Sequence, residues 1–409
     1  METYASILLW VIPGFLILVL LEIMYGHYMK KQTYTLMDTI SSLSSGITNI
    51  LKDSMGIILI IISYPILEKE IALFELETSL TLYIIAFICI DFASYWSHRL
   101  NHKINVFWNQ HIIHHSSEEF NLACALRQSI SNIIGYNALF LIPAAIMGVP
   151  SEIIIFLSPI HLFGQFWYHT QHIGKLGFLE YIFVTPSQHR VHHAINPIYI
   201  DKNLSAIFCV WDRIFGTFQE ELDDVKPIYG TLKPVQTWNP IIINFQHLYR
   251  LAKDSWHTKK FLDKLKIWFM PTGWRPKDVE SIFIYKTQYN KQIKYYPNYN
   301  YFQKVIGVFH FLSVNIILTY FLYNFSNLES DSKFIYTLII FLSVFGYTSL
   351  MDKYSWAPLF EILRSLLSLY FVYLIPELMI FKLFLYSYLL SSIIISFFII
   401  IRTKIFLNK

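Results

Sequence analysis

The chain has 409 residues, of which 55% are hydrophobic and only 15% charged, with a net charge of +4 and a mean hydropathy of +0.43. Soluble domains carry about 25% charged residues, so this balance excludes an ordinary soluble globular protein and points to a membrane protein. The three cysteines (Cys89, Cys124, Cys209) are far apart and form no C-x-x-C pair, so neither a disulfide framework nor a thiolate metal site is suggested.

In chain order, residues 6–25 (SILLWVIPGFLILVLLEIMY) form the first apolar run. It lacks a basic leading region and a small-residue cleavage pattern, so it reads as a retained helix and not as a signal peptide. Residues 40–65 and 132–168 are also apolar enough to cross a bilayer, though Gly, Pro and polar residues interrupt them. The run 79–97 ends in DFASYWSH, turning polar and aromatic as an interface does. After residue 300 the runs 305–323, 334–350 and 378–401 approach or exceed the roughly 18–20 residues a span needs. Long unbroken runs exclude barrel alternation, which leaves helices as the way to satisfy the backbone in lipid. The expected fold is therefore an all-α, polytopic integral membrane protein with a His-rich helical catalytic region at the cytosolic membrane face.

Three zones follow: N-terminal transmembrane helices over 1–97, a catalytic region with an interfacial basic segment over 98–300, and C-terminal transmembrane helices over 301–409. Thirteen of the fifteen histidines lie in the middle zone, leaving His27 before it and His310 after it. No internal repeat is present, and the longest linker-like stretch is KTQYNKQIKYYPNYN at 286–300. Between Arg250 and Lys304 there are twelve Lys/Arg against four Asp/Glu, interleaved with Trp256, Trp268 and Trp274. In so apolar a chain this stretch reads as lying on anionic head groups, not on nucleic acid. With Lys30, Lys31, Arg402 and Lys404 flanking the first and last helices, the positive-inside rule puts these ends on the cytosolic side.

The histidines fall into boxes. HRLNH holds His98 and His102; HIIHH holds His111, His114 and His115; HTQH holds His169 and His172; QHRVHH holds His189, His192 and His193. Offsets of three and four bring side chains together on a helix, so each box is expected to present its imidazoles on one helical face. Thr185 and Pro186 suit the start of a helix and Asn196-Pro197 its end, while Ser116 and Glu119 fit a capping box for a helix after HIIHH. Isolated His27, His247, His257 and His310 read as hydrogen-bonded interface residues; His161, in an apolar helix, is left open between that role and a ligand. Imidazole suits Fe, Zn, Cu and Ni. Eight box histidines exceed what one ion can hold, so two metals are expected, and a pair of irons that activates O2 suits a thiolate-free site beside lipid.

These boxes resemble those of the fatty acid hydroxylase/sterol desaturase superfamily of integral-membrane di-iron enzymes. The stretches HHSSEEFNLACALRQS, FWYHTQHIGKLGFLEYIFVTPSQHRVHH, NPIYIDKNLSAIFCVWDRIFGTFQEE and YGTLKPVQTWNPIIINFQHL look like the alkylglycerol monooxygenase branch of it, so the likeness spans most of the chain. The resemblance implies that His98, His102, His111, His114, His115, His189, His192 and His193 are metal ligands, with His169 a ninth and His172 a weaker candidate. Two positions depart from the pattern: KNLSA stands where many relatives have an aromatic-glycine pair, and Gln188 stands where a histidine is common.

The same resemblance implies two iron ions, tetrahydrobiopterin as reductant, O2, and an ether-lipid substrate hydroxylated at the carbon beside the ether oxygen, with release of a fatty aldehyde. Asp91, Glu118, Asp201 and Asp212 are candidates to orient ligand N–H groups; Glu119 reads as a helix-start charge. Arg127 is open between gripping a head group or pterin and acting as a snorkelling cation. No Rossmann or haem-attachment motif is present, so electrons come from an external reductant. The membrane is the endoplasmic reticulum in a eukaryotic cell or the cytoplasmic membrane in a bacterial one. Two other readings stay open: a hydroxylase or desaturase of a sterol, fatty acyl or other lipid, and a metal transporter, whose ligands would lie near the bilayer midplane.

Overall fold

A computed structural model describes the chain at every residue except 1, 58, 61, 286, 288–293, 377 and 408–409, so part of the polar stretch 286–300 lies outside the described residues. The elements are α1 (Glu2–Tyr28), α2 (Leu36–Ser54), α3 (Tyr64–Ile71), α4 (Leu80–Lys103), α5 (Asn105–Trp108), α6 (Ile112–His115), α7 (Ile142–Ile146), α8 (Ser151–Phe163), α9 (Pro186–His192), α10 (Val210–Ile214), α11 (Pro240–His257), α12 (Phe261–Phe269), α13 (Lys277–Glu280), α14 (Tyr301–Tyr323), α15 (Ser330–Met351), α16 (Ala357–Leu374) and α17 (Met379–Leu407). Apart from 3-10 turns, the remaining regular structure among the described residues is one parallel pair, β1 (Leu59–Ile60) and β2 (Ile134–Gly135), with Leu59 opposite Ile134. The protein is all-α and multi-pass. Among the described residues six helices are long and apolar enough to span a bilayer: α1, α4, α14, α15, α16 and α17.

Two expected crossings do not form. The 40–65 run becomes α2, a helix whose buried face carries Ser41, Ser42, Ser44, Ser45 and Thr48. Their hydroxyls are satisfied locally or by neighbours, as with Ser41 donating to the Trp238 carbonyl at 2.7 Å. The helix stops at Ser54, before Gly56 turns the chain with a φ of 63°. The 132–168 run is cut into α7 and α8, because Pro150 and Gly148 sit between them. At a φ of 71° Gly148 occupies the left-handed region, and a Cβ there would collide with the Phe74 carbonyl. The sequence reading also passed over α16, whose apolar run is broken by Glu361 and Arg364. Those two charges cancel each other at 2.5 Å, and Ser343 on α15 with Tyr388 and Ser392 on α17 completes their hydrogen bonds. A paired, fully bonded ion pair is tolerated where a lone charge is not.

Consecutive helices α14 to α17 pack as antiparallel neighbours, and α1 and α2 lie against them. The shared core is apolar, with Ile40 and Ile47 of α2 meeting Val314, Phe321, Ile339 and Leu385. A second core joins α3, α4, α7 and α8 through Leu82, Ala86, Ile90, Ala144 and Ile153. The parts are tied together by Arg127, which is 1% exposed. Its guanidinium donates to Asp38 at 2.6 Å, Ser42 at 2.9 Å and Ser116 at 2.6 Å, linking α2 to the residue after His115. Ser117 also donates to Asp38, at 2.8 Å. Ser116 is thus spent on Arg127 and on the Ile113 carbonyl, and no helix starts there; a turn and a 3-10 segment at Cys124–Leu126 follow.

Removing one partner of a buried ion pair strands the other. Arg127→Met is therefore expected to destabilise the chain by about 3–5 kcal/mol, and Asp38→Asn in the same chain to recover part of that loss. Thermal unfolding midpoints in detergent check both; an Arg127→Met midpoint equal to wild type would refute the assignment.

Candidate metal centre

Short helices at the ends of the long ones set the histidines. The last turns of α4 carry His98 and His102; His111 leads into α6, which carries His114 and His115; and α9 carries His189 and His192, with His193 following. Pro186 is the first residue of α9. The Thr185 hydroxyl does not cap it but donates to Glu180 at 3.0 Å. His169 comes from the loop after α8, not from a helix, and His172 turns away from it to lie edge-on against Tyr25.

Nine imidazoles converge into two groups, each with its ligand atoms within 4.8 Å of one another: His98, His102, His111, His115 and His192 in one, His114, His169, His189 and His193 in the other. The boxes do not each present one face, as expected from the sequence. Every i,i+4 pair (98/102, 111/115, 189/193) stays in one group, while the i+3 residue goes to the other. Helical geometry accounts for this: at about 100° per residue, i+4 lies about 40° from i but about 100° from i+3. An HxxHH box on a helix is thus built to serve two centres.

Several histidines are held in one tautomer by a carbonyl, which can only accept. His98 Nδ1 donates to the Leu204 carbonyl at 2.8 Å, His192 Nδ1 to Lys202 at 3.0 Å, and His169 Nδ1 to Gln165 at 3.0 Å. Their Nε2 lone pairs then point inward at other imidazole nitrogens: His98 to His111 at 2.8 Å, and His169 to His189 at 2.9 Å. His102 Nε2 and His192 Nε2 are buried with no hydrogen-bond partner among the described residues. Converging lone pairs in a buried site repel unless cations lie among them. Protons do not fill that role, because burial and the neighbouring imidazoles push His111, His114, His115, His189, His192 and His193 well below the usual histidine pKa. Burial likewise lowers His169, to about 4. Neutral nitrogen donors without thiolate fit iron.

The supporting residues divide unevenly. Among the four carboxylates expected from the sequence, Asp201 lies against a box histidine, at 3.4 Å from His102 Nδ1, and also takes Lys103 at 2.7 Å. Burial raises its pKa, but His102 and Lys103 more than offset that and hold it at about 2. Asp212 acts one step back: it accepts the Leu204 and Ser205 amides at 2.7 and 3.0 Å, fixing the carbonyl that holds His98. Asp91 meets His161 at 2.8 Å and accepts the amides of Ile207 and Phe208 and the Trp211 indole. His161 therefore lies outside both groups. Glu118 and Glu119 turn to the Tyr295 amide and Lys294, away from the histidines. The KNLSA departure falls where the backbone carbonyls of Lys202 and Leu204, not side chains, touch the histidines. Gln188 donates to the Glu180 carbonyl at 2.7 Å.

Two supporting residues escaped the sequence reading. Arg190, inside the last box, pairs with Glu221 at 2.7 Å and donates to the Thr170 and Ile173 carbonyls at 3.0 and 2.7 Å, clamping the loop that carries His169. Glu22, the one carboxylate within the first apolar run, accepts from Thr170 at 2.5 Å, from the Leu122 amide at 2.8 Å and from Tyr34. Its signal was its position, since a carboxylate in a spanning helix needs partners. Aromatic rings close the site: Tyr168 lies 4.3 Å from His189, and Phe120 5.2 Å from His193. A cavity of about 540 Å³ opens on His102, His115, His192 and His193, walled nearby by Trp108 and Ile112.

The fatty acid hydroxylase family model matches residues 83–217, the segment holding all nine histidines. The chain is 39% identical to an alkylglycerol monooxygenase of Homo sapiens over 268 residues, 64% of this chain and 59% of that one. It is 33% identical to an alkylglycerol monooxygenase of Xenopus tropicalis over 373 residues, 87% of this chain and 80% of the relative. A shorter match, 27% over 135 residues, joins it to an ornithine lipid hydroxylase of Rhizobium tropici, covering 33% of this chain and 41% of that one. The chain thus spans less than two thirds of the human relative's length and four fifths of the frog relative's. No solved structure matches it significantly. An alignment that runs through most of both chains places it: the chain belongs to the alkylglycerol monooxygenase family.

Proposed function

We propose that the two histidine groups hold two iron ions and that the chain is a lipid monooxygenase acting on the ether bond of alkylglycerols. The observation that carries this reading is the pair of thiolate-free imidazole groups whose nitrogens converge within 4.8 Å of one another, beside a cavity at the end of a membrane helix. His98, His102, His111, His115 and His192 would hold one iron; His114, His169, His189 and His193 the other. Bound iron would supply the oxidising power that putting oxygen into a C–H bond requires and that side chains lack. O2 provides the oxygen atom, and a tetrahydrobiopterin-type external reductant provides two electrons. One oxygen enters the carbon beside the ether oxygen and the other leaves as water. The resulting hemiacetal loses its O–H proton and breaks its C–O bond, giving a fatty aldehyde and a glycerol hydroxyl.

The chain's own residues position and exclude. The carbonyls of Lys202, Leu204 and Gln165 keep three imidazoles in the tautomer whose Nε2 is free for metal. Asp212 and Arg190 hold the segments bearing those contacts, and Phe120, Tyr168 and Trp108 keep bulk water from the ligands. Metal transport is disfavoured because the ligands sit at the end of α4 and on short helices beyond it, not at the middle of spanning helices.

Orientation follows from chain direction. α1, α4, α15 and α17 run toward the site while α14 and α16 run away from it, so Lys30, Lys31, Lys103, Lys304, Lys353 and Arg402 cluster at the site-side ends. That distribution supports a cytosolic active site, at the endoplasmic reticulum or, in a bacterium, at the cytoplasmic membrane. α12 exposes Phe261, Leu262, Leu265 and Phe269 among Lys260, Lys264 and Lys266, as a helix lying in the head-group layer does.

The test is anaerobic purification, metal analysis, and turnover of an alkylglycerol with O2 and tetrahydrobiopterin. Two irons per chain and aldehyde release are expected; His192→Ala and His189→Ala, one from each group, should each lower bound iron and cut turnover at least about 100-fold. Loaded iron with no aldehyde would redirect the assignment to another lipid. Acid provides a second check. Histidines of depressed folded pKa are neutral in the fold and take protons in the unfolded chain below about 6.5. The metal-free protein should therefore hold its stability above pH 6.5 and lose it progressively as pH falls below that value, measured as the unfolding midpoint of chelator-treated protein. A flat profile between pH 7 and pH 5 would contradict the burial of these imidazoles.

A further inference from the structure

Away from the histidines, the wall of the 540 Å³ cavity becomes cationic. Lys233, Arg250 and Arg275 gather around the ring of Tyr285, with their charged ends 5.7, 5.1 and 4.4 Å from its centroid. Arg275 is spoken for: it pairs with buried Asp254 at 2.5 and 3.0 Å and donates to the Phe283 carbonyl. Lys233 and Arg250 are different. Both are half-buried, both line the cavity, and among the described residues neither side chain makes a hydrogen bond or an ion pair. The other carboxylates on this wall do not serve them, since Asp201 is engaged with His102 and Lys103 and Glu280 is exposed with no ion pair. His247 on the same wall is bonded to the Asn105 carbonyl.

Two further donors point the same way. The Tyr285 hydroxyl and Thr272 Oγ1 are buried without a partner among the described residues and belong to residues of this wall. Burial and the like charges of Arg275 and Arg250 push Lys233 below its ordinary pKa, against the opposite pull of Asp254 and Glu280. An ammonium, a guanidinium and two hydroxyls offer more donors than a carboxylate can use, whereas a tetrahedral phosphate has oxygens for all of them.

We propose that Lys233 and Arg250, with Tyr285 and Thr272, form a phosphate subsite in the catalytic cavity, which receives the phosphorylated head of a lipid whose chain is processed at the histidines. This rests on the reading of that cavity as the lipid site, and it makes head-group charge a determinant of substrate choice.

The test is a binding measurement on the full-length, iron-loaded protein in detergent, following intrinsic tryptophan fluorescence. Two lipids with the same ether-linked chain are compared, an alkylglycerol and its 3-phosphate. The 3-phosphate is expected to bind about tenfold tighter, and millimolar inorganic phosphate to erase that advantage. Lys233→Met and Arg250→Met should each bring the ratio of the two Kd values close to one, while Lys233→Arg keeps most of it. Reading the ratio in each variant separates loss of the subsite from loss of fold. If the 3-phosphate shows no advantage but inorganic phosphate binds in a Lys233-dependent manner, the subsite stands and its ligand is the free ion. Equal binding of both lipids together with indifference to phosphate overturns the proposal. Because binding is read without turnover, a chain that prefers the 3-phosphate through Lys233 yet releases no aldehyde from any ether lipid would overturn the proposed reaction and leave the subsite intact.

Discussion

Nine imidazoles, six of them buried, with their ring nitrogens converging is an arrangement that a folded chain does not hold for its own stability. Each nitrogen turned inward loses water, and the neighbours it gains are acceptors like itself, as with His98 and His111 at 2.8 Å. Burying unsatisfied polar groups costs free energy, and only a cation among them turns that cost into binding. Much of the middle zone exists to impose this geometry. Backbone carbonyls at 202 and 204 hold two rings, Asp212 holds that backbone, and Arg190 bound to Glu221 holds the loop of His169. The left-handed φ values of Asp201 and Asn203, 56° and 51°, belong to the same stretch. Local backbone strain is tolerated there because it aims carbonyls at histidines.

The membrane helices supply what this layer cannot. α1 reaches into the site through Glu22, and α2 reaches it through Asp38 and Arg127, so two helices outside the histidine-bearing segment brace its loops. A polar site at the membrane surface cannot be stabilised by apolar burial alone. Buried carboxylates and guanidiniums, each fully bonded, take over that work and keep the loops from relaxing away from the ligand geometry.

What was legible in the sequence followed from chemistry that needs no tertiary partner. Apolar length announced five of the six spans, and spacing announced the box histidines that the fold brings together. What could not be read depended on partners far along the chain. α16 was hidden because Glu361 and Arg364 look prohibitive until each is seen beside the other. α2 was mistaken for a span because its serines find acceptors on Trp238 and Gln128, far away in sequence. Arg127 looked available for a ligand because nothing local revealed Asp38, 89 residues earlier. The division of the histidines into five and four was within reach, since the helical angle between i+3 and i+4 already separates them.

Head-group recognition and oxidation then meet in one cavity for a physical reason. The ether oxygen weakens the C–H bonds of the carbon beside it, but the methylenes beyond offer an oxidising centre no polar handle by which the chain could be placed. A site can add position to that electronic preference by measuring from the end of the lipid that carries its hydrogen-bond donors. The cavity supplies such a reference, with donors at Lys233, Arg250, Tyr285 and Thr272 on one part of its wall and His102, His115, His192 and His193 on another. Held at its head, a lipid presents the carbon at a set remove from that head, whatever the length of its tail. Regioselectivity then becomes a matter of the distance between two parts of one wall, with His102 on α4 and His192 on α9 at one of them and Arg250 on α11 at the other.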